Sequence, residues 1–234
     1  MDDLTQCMAR NPERFDQLLE EIRVAGTDHL VHFGNRYTHE GGLSLQQNPF
    51  EFAAAVMFLE DALHGDLDYL EIGSGSGGTC RFLMKHLPFW RAWVIDNHGH
   101  GRWTEQQANF DAIGSRLSNV EIGRSQRHTP VVQKWVGDSH SKEAKTWLHK
   151  NLLTLPALSF IDGDHTYEGC WADFEMVHSL LSGSNRLVMF HDTVACEGVK
   201  QAWQRAISNS MLEPLAEYIG PDYRPLGIGI GRVK

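Results

Sequence analysis

Two short stretches of the sequence crowd acids beside imidazoles. "FIDGDHTYEG" (160–169) holds Asp162, Asp164 and His165, and "MFHDT" (189–193) holds His191 and Asp192. Each closes an apolar run of strand length, so the two sets converge if the strands are neighbours. Two carboxylates from separate strand ends, completed by water and substrate oxygens, make the shell of a hard divalent ion. Asp162 and Asp192 are the expected ligands. An ion on a substrate hydroxyl lowers its pKa, and a nearby imidazole can take the proton; His165 is the expected base. Plainer roles compete: Asp164 or His165 could cap a helix opening near Thr166, His191 could be a satisfied buried imidazole, and Tyr167 reads as core packing.

A second chemical feature is "LEIGSGSGGT" (70–79), in which Gly73, Gly75, Gly77 and Gly78 follow an apolar run. Glycines after a buried strand allow a sharp turn and a close ligand, and the helix that follows offers free N–H groups. The spacing fits both the dinucleotide fingerprint and the looser turn of S-adenosylmethionine enzymes. Glu71 favours the second, because an acid inside the strand suits a ligand carrying an ammonium group. Asp96 ends the next apolar run, where a carboxylate can accept ribose hydroxyls under either cofactor. Asp138, in "VGDS", is placed for an adenine amino group or, alternatively, to cap the helix in "DSHSKEAKTW". The expected cofactor contacts are Glu71, Gly73, Ser74, Gly75, Gly77, Asp96, Asn97, Asp138, Ser139 and Asp162.

The elements that must position these residues alternate. Apolar runs at 67–73, 91–97, 131–138, 157–164 and 186–193 are separated by helical stretches, the sign of βαβ units and a mainly parallel sheet. Four of the five runs carry an aspartate at or just past the strand's end and the first holds Glu71, so acids collect where an open α/β sheet binds its ligand. Phe15, Leu18, Leu19 and Ile22 predict a helix over 12–25, and Phe52, Val56, Leu59 and Leu63 predict one over 50–63. Further helices are expected at 166–182 and near 197–209. "EPLAEYIG" and "PLGIGIGRV" should pair as an antiparallel hairpin at the sheet edge; residues 98–130 give the weakest pattern. "EGGLSLQQNP", with Gln46, Gln47 and Asn48, is a candidate lid or an ordinary connection.

Composition narrows the function. The 234 residues suit one α/β domain with an appendage, and 21 basic against 30 acidic residues give a net charge of −9 with no basic run to track a phosphate backbone. Nucleic acid is not an expected partner. No apolar stretch approaches the roughly 20 residues of a membrane span, and the acidic start lacks the order of a secretory signal, so a cytoplasmic protein is expected. Cys7, Cys80, Cys170 and Cys196 form no C-x-x-C pair and are expected to be plain thiols.

Taken together, "YLEIGSGSGGT", "VGDS", "FIDGDHTYEG" and "FHDT" followed by "GVKQAW" resemble the class I S-adenosylmethionine-dependent methyltransferases. The similarity is to the branch of cephalosporin-hydroxylase-like proteins and macrolide-sugar O-methyltransferases, and it spans roughly residues 66–205. It implies an α/β Rossmann-like fold with a mainly parallel seven-stranded sheet and helices on both faces. An N-terminal helical extension or lid (1–65) would precede the cofactor-binding domain (66–234). It also implies that Asp162 and Asp192 hold a divalent metal and that His165 is the base. Glu71, Gly73, Asp96 and Asp138 match cofactor contacts. His191 departs from the branch, whose sugar-modifying members have an acid there; imidazole is a poor ligand for magnesium, the metal the branch uses, and a better one for manganese or others. The expected function is metal-assisted O-methyl transfer to a hydroxylated small molecule, a sugar or natural product. An iron-dependent hydroxylase, an NAD-dependent oxidoreductase and a non-catalytic cofactor-binding protein are the alternatives. The apolar stripes of the N-terminal helices would suit a homodimer contact.

Overall fold

Apolar side chains alternate along the strands because both faces of the sheet are covered. In β1 (Leu67–Ile72) Tyr69 joins one apolar layer, while Leu70 and Ile72 join the other. The computed structural model describes residues 1–26, 45–65, 67–99, 101–115, 130–221 and 225–234. Over these, β2 (Phe89–Asp96), β3 (Val131–Val136), β4 (Leu158–Ile161), β5 (Leu187–His191), β6 (Leu212–Tyr218) and β7 (Ile228–Val233) complete a seven-stranded sheet in the order β3-β2-β1-β4-β5-β7-β6. The first five run parallel, and β7 pairs antiparallel with both β5 and β6. The expected hairpin forms, with β7 inserted between β5 and β6 so that β6 is the edge.

One face is covered by α1 (Leu4–Arg10), α2 (Pro12–Ala25), α3 (Pro49–Ala62), α4 (Gly78–His86) and α5 (Trp103–Ser115); the other by α6 (Lys142–Asn151), α7 (Tyr167–Leu181) and α8 (Glu197–Ser208). Helix α5 lies inside the stretch of weakest pattern; its apolar contacts come from Phe110 and Ile113, while buried Gln106 and Asn109 donate to the carbonyls of Gly75 and Ser76. Helix α3 starts sharply: Asn48 accepts the N–H groups of Phe50 and Glu51, and Pro49 stands at the first helical position. It is apolar nearly all round, since Phe52, Val56 and Leu59 are fully buried between sheet and outer helices. Burying one such side chain is worth about 1.5–3 kcal/mol. Neither Asp164 nor His165 caps α7: Thr166 is its N-cap, accepting the Gly169 N–H, and Asp164 accepts the Thr166 N–H.

Successive strands run outward from β1 through β2 to β3, then from β4 through β5 on the other side. The chain order therefore reverses between β1 and β4, and a crevice opens beyond their carboxyl ends. No described helix is long and apolar enough to cross a membrane.

Candidate active site

A cavity of about 760 Å³ occupies that crevice. Of the residues expected to bind a cofactor, metal or proton, all but Gly77 line it: Glu71, Gly73, Ser74, Gly75, Asp96, Asn97, Asp138, Ser139, Asp162, His165, His191 and Asp192. Gly77 serves the turn into α4. Its φ is +74°, and the Phe110 ring lies 2.9 Å from where a Cβ would stand, so the position is committed to the packing of α5. Gly73 is equally constrained: at φ +81° a Cβ would meet the Asp162 carbonyl oxygen at 2.0 Å. This contact ties the glycine loop to the end of β4.

The β1 and β2 ends hold two carboxylates in unlike surroundings. Asp96 accepts the N–H groups of Ser74 (2.7 Å) and Gly75 (2.9 Å) on Oδ2 and that of His98 (2.6 Å) on Oδ1. Asp96 thus shapes the glycine loop itself, and of its roughly four acceptor sites one remains, on Oδ1. Glu71 is buried with Oε2 unpartnered among the described residues. Burial, above all, pushes its pKa up to about 8. A buried acid with an orphaned oxygen at a cavity wall fits a cationic donor group, which would restore its charge. Asn97 Oδ1 accepts the Gly99 N–H at 2.8 Å. Asp138 is mostly exposed and does not cap α6, which Ser141 caps; its Oδ1 accepts the His140 N–H at 2.9 Å.

At the β4 and β5 ends the expected convergence is present and tighter than the sequence implied. His191 Nδ1 is 3.0 Å from Asp162 Oδ1 and 3.2 Å from Asp192 Oδ2, and His165 Nε2 is 3.3 Å from each of the same two oxygens. Two carboxylates and two imidazoles share one point. Burial works against charge on both Asp162 and His191, yet their mutual attraction prevails, lowering the Asp162 pKa and raising that of His191 well above the ordinary value. The His165 pKa is also raised, mainly by its bond to Asp162. The two carboxylates thus favour the protonated form of His165, and positive charge supplied to them would favour the neutral base. Asp192 adopts φ +60°, uncommon for a residue with a Cβ and found where surrounding bonds enforce it. Asp162, His191 and Asp192 present donor atoms within 4.8 Å of one another. Carboxylate oxygens with imidazole fit a divalent cation of the manganese, iron or zinc type better than an all-oxygen site would.

Other residues also reach the site, among them some that the sequence offered only as a candidate lid. Gln46 lines the cavity beside Gly75, and buried Gln47 approaches Asp162 Oδ2 and Thr79 Oγ1 at 3.4 Å each. Residues 40–44 of the candidate lid lie outside the described residues; its second half, through Gln46 and Gln47, meets both halves of the site. Asn48 is the cap of α3. His140 lines the cavity with Nε2 3.3 Å from the fully buried Asp173 of α7 and 3.1 Å from the Gly169 carbonyl. Asp173, with the nearby carbonyl, holds the His140 pKa up at about 9. An aspartate on the inward face of an otherwise apolar helical stripe was the one available hint.

The family model described as a methyltransferase domain matches residues 70–193, more than half of the chain and the whole of the crevice-forming segment. The chain belongs to this family: it is a methyltransferase with a Rossmann-like sheet. No curated protein sequence matches it. Among solved structures it is similar to an O-methyltransferase from Bacillus cereus in complex with S-adenosylhomocysteine, at 14% identity, 98% of this chain, 96% of that chain and a TM-score of 0.59. It is also similar to an O-methyltransferase of tomaymycin synthesis from Streptomyces achromogenes in complex with S-adenosylmethionine, at 14% identity over 94% and 90% of the two chains, with a TM-score of 0.60. A TDP-rhamnose 3'-O-methyltransferase of calicheamicin biosynthesis shares the fold at 17% identity over 76% and 75%, with a TM-score of 0.53.

Proposed function

We propose that the protein is an S-adenosylmethionine-dependent O-methyltransferase, assisted by a divalent cation, acting on a hydroxyl of a small molecule such as a sugar or natural product. The observation that carries this reading is one cavity with two chemically distinct ends: a glycine loop with Glu71 and Asp96 at one, and Asp162, Asp192, His165 and His191 at the other. Similarly folded proteins solved with S-adenosylmethionine or S-adenosylhomocysteine, and one acting on a TDP-sugar, support it.

On this reading Glu71 receives the ammonium of the methionyl part, Asp96 Oδ1 a ribose hydroxyl, and Asp138 the adenine amino group. Asp162 and Asp192, with His191, hold the cation. A divalent cation held there would supply positive charge against the two carboxylates and Lewis acidity toward the acceptor hydroxyl. With that field offset, His165 would accept the hydroxyl proton while the acceptor oxygen takes the methyl group from the donor's sulfur. The walls of the crevice hold donor and acceptor in line, and such positioning can supply on the order of 7–11 kcal/mol.

Titration with S-adenosylhomocysteine tests the first half. Binding is expected, weakened by Asp96→Ala through collapse of the loop amides; absence of binding beside clear NAD binding would overturn it. Two carboxylate ligands have no use in hydride transfer, which weighs against the NAD reading. For the second half, Asp162→Ala should abolish both divalent-ion binding and turnover, and retention of both would remove the metal.

A further inference from the structure

Glu51 lies on α3, outside the cavity, and is fully buried. Its carboxylate crosses to the β6–β7 connection, where Oε1 accepts the N–H groups of Gly220 (2.6 Å) and Leu226 (3.2 Å) and Oε2 that of Gly227 (2.8 Å). The carbonyls of the same connection hold the turn that follows β5. Gly227 O accepts the Thr193 N–H at 3.1 Å, and Leu226 O accepts those of Val194 and Ala195 at 2.9 Å each. That turn begins at Asp192, whose positive φ needs enforcing from its surroundings.

We propose that Glu51 is a positioning residue for Asp192, acting through Leu226 and Gly227 to set the turn that aims the Asp192 carboxylate into the cavity. A carboxylate suits this task and an amide does not. Three N–H donors converge on Glu51, and only an acceptor-only group meets them all; a glutamine would turn its NH₂ toward at least one donor. Burial pushes the Glu51 pKa up to about 7, against the pull of those backbone bonds. The residue therefore carries a solvation cost that packing alone does not explain. The consequence for metal binding rests on the function proposed above; the positioning of the turn does not.

The test is Glu51→Gln in the full chain, read in two ways. Hydrogen exchange should speed up at the amides of Thr193, Val194 and Ala195 while those of Ser74 and Gly75, at the far end of the cavity, keep their protection. Binding of Mn²⁺, followed by its paramagnetic resonance, should weaken about 10–100-fold relative to wild type, with S-adenosylhomocysteine affinity unchanged. Unchanged exchange at 193–195, or wild-type Mn²⁺ affinity and spectrum, overturns the inference. If the wild-type protein binds no Mn²⁺, the metal part of the proposed function falls and the exchange result alone decides on Glu51. Should Glu51→Gln lose S-adenosylhomocysteine binding and its cooperative melt, Glu51→Asp, which keeps the charge on a shorter arm, is read by the same two measurements.

Discussion

Glu71 and Asp162 are both buried carboxylates on the cavity wall, and their surroundings push them in opposite directions. Glu71 has no cationic neighbour to offset its burial, and its pKa rises to about 8; Asp162 has two imidazoles, and its pKa falls. Because the native pKa of Glu71 exceeds its ordinary value near 4.5, its contribution to stability is full below that value and is lost as pH rises through about 8. Glu71→Gln, which cannot titrate, should therefore lose less stability than wild type between pH 5 and 9, as thermal melts would record. The same variant should weaken S-adenosylhomocysteine about 10–100-fold at pH 8, the worth of a hydrogen bond to a charged group. Unaltered affinity would detach Glu71 from the ligand's ammonium. His165→Ala is expected to leave cofactor affinity intact and to depress turnover about 10²–10⁴-fold; undiminished turnover would remove its role as base.

At the scale of elements, His140 joins the end of β3 to α7. Its two ring nitrogens face Asp138, and Asp173 with the Gly169 carbonyl, which suits the protonated ring with a donor on each nitrogen. Raised to about 9, its pKa makes this clamp fully stabilising below about 6.5 and ineffective once pH passes 9. His140→Gln should thus be less stable than wild type at pH 7 by on the order of 1–2 kcal/mol, discounted for partial exposure, with the difference shrinking by pH 10. A difference independent of pH would mean that the imidazole merely fills space. Asp138 is held by the same residue, so cofactor affinity should follow the same pH course.

For the whole molecule, the N-terminal helices are not loosely appended. Phe15, Leu18 and Ile22 of α2 and Phe52, Val56 and Leu59 of α3 share one apolar core with Tyr69 of β1, Phe82 of α4 and Phe160 of β4. Removal of residues 1–48 would expose that core and take away Gln46 and Gln47. The truncated chain is expected to lose its cooperative thermal transition, and a sharp melt with retained cofactor binding would show that the remainder folds alone. Ion pairs such as Arg14 with Glu60, and Lys85 with Glu21, also lace α2 to α3 and α4, though exposed pairs of this kind contribute little individually.

Periodicity and residue type were enough to place the strands, most helices and the ladder of acids at the strand ends, because each depends on neighbours within a few residues. "IDGDH" and "HD" pointed to a shared site for the same reason: both end apolar runs of strand length. What those side chains do to one another was settled by tertiary structure alone. Asp96 spends half of its acceptor capacity on a loop some twenty residues earlier. His140 finds its buried aspartate on another element, and Glu51 reaches N–H groups 169 to 176 residues away. No local pattern encodes such meetings. They follow from which layers of the sheet the helices cover, and so does the difference between a carboxylate that holds a proton and one that holds a charge.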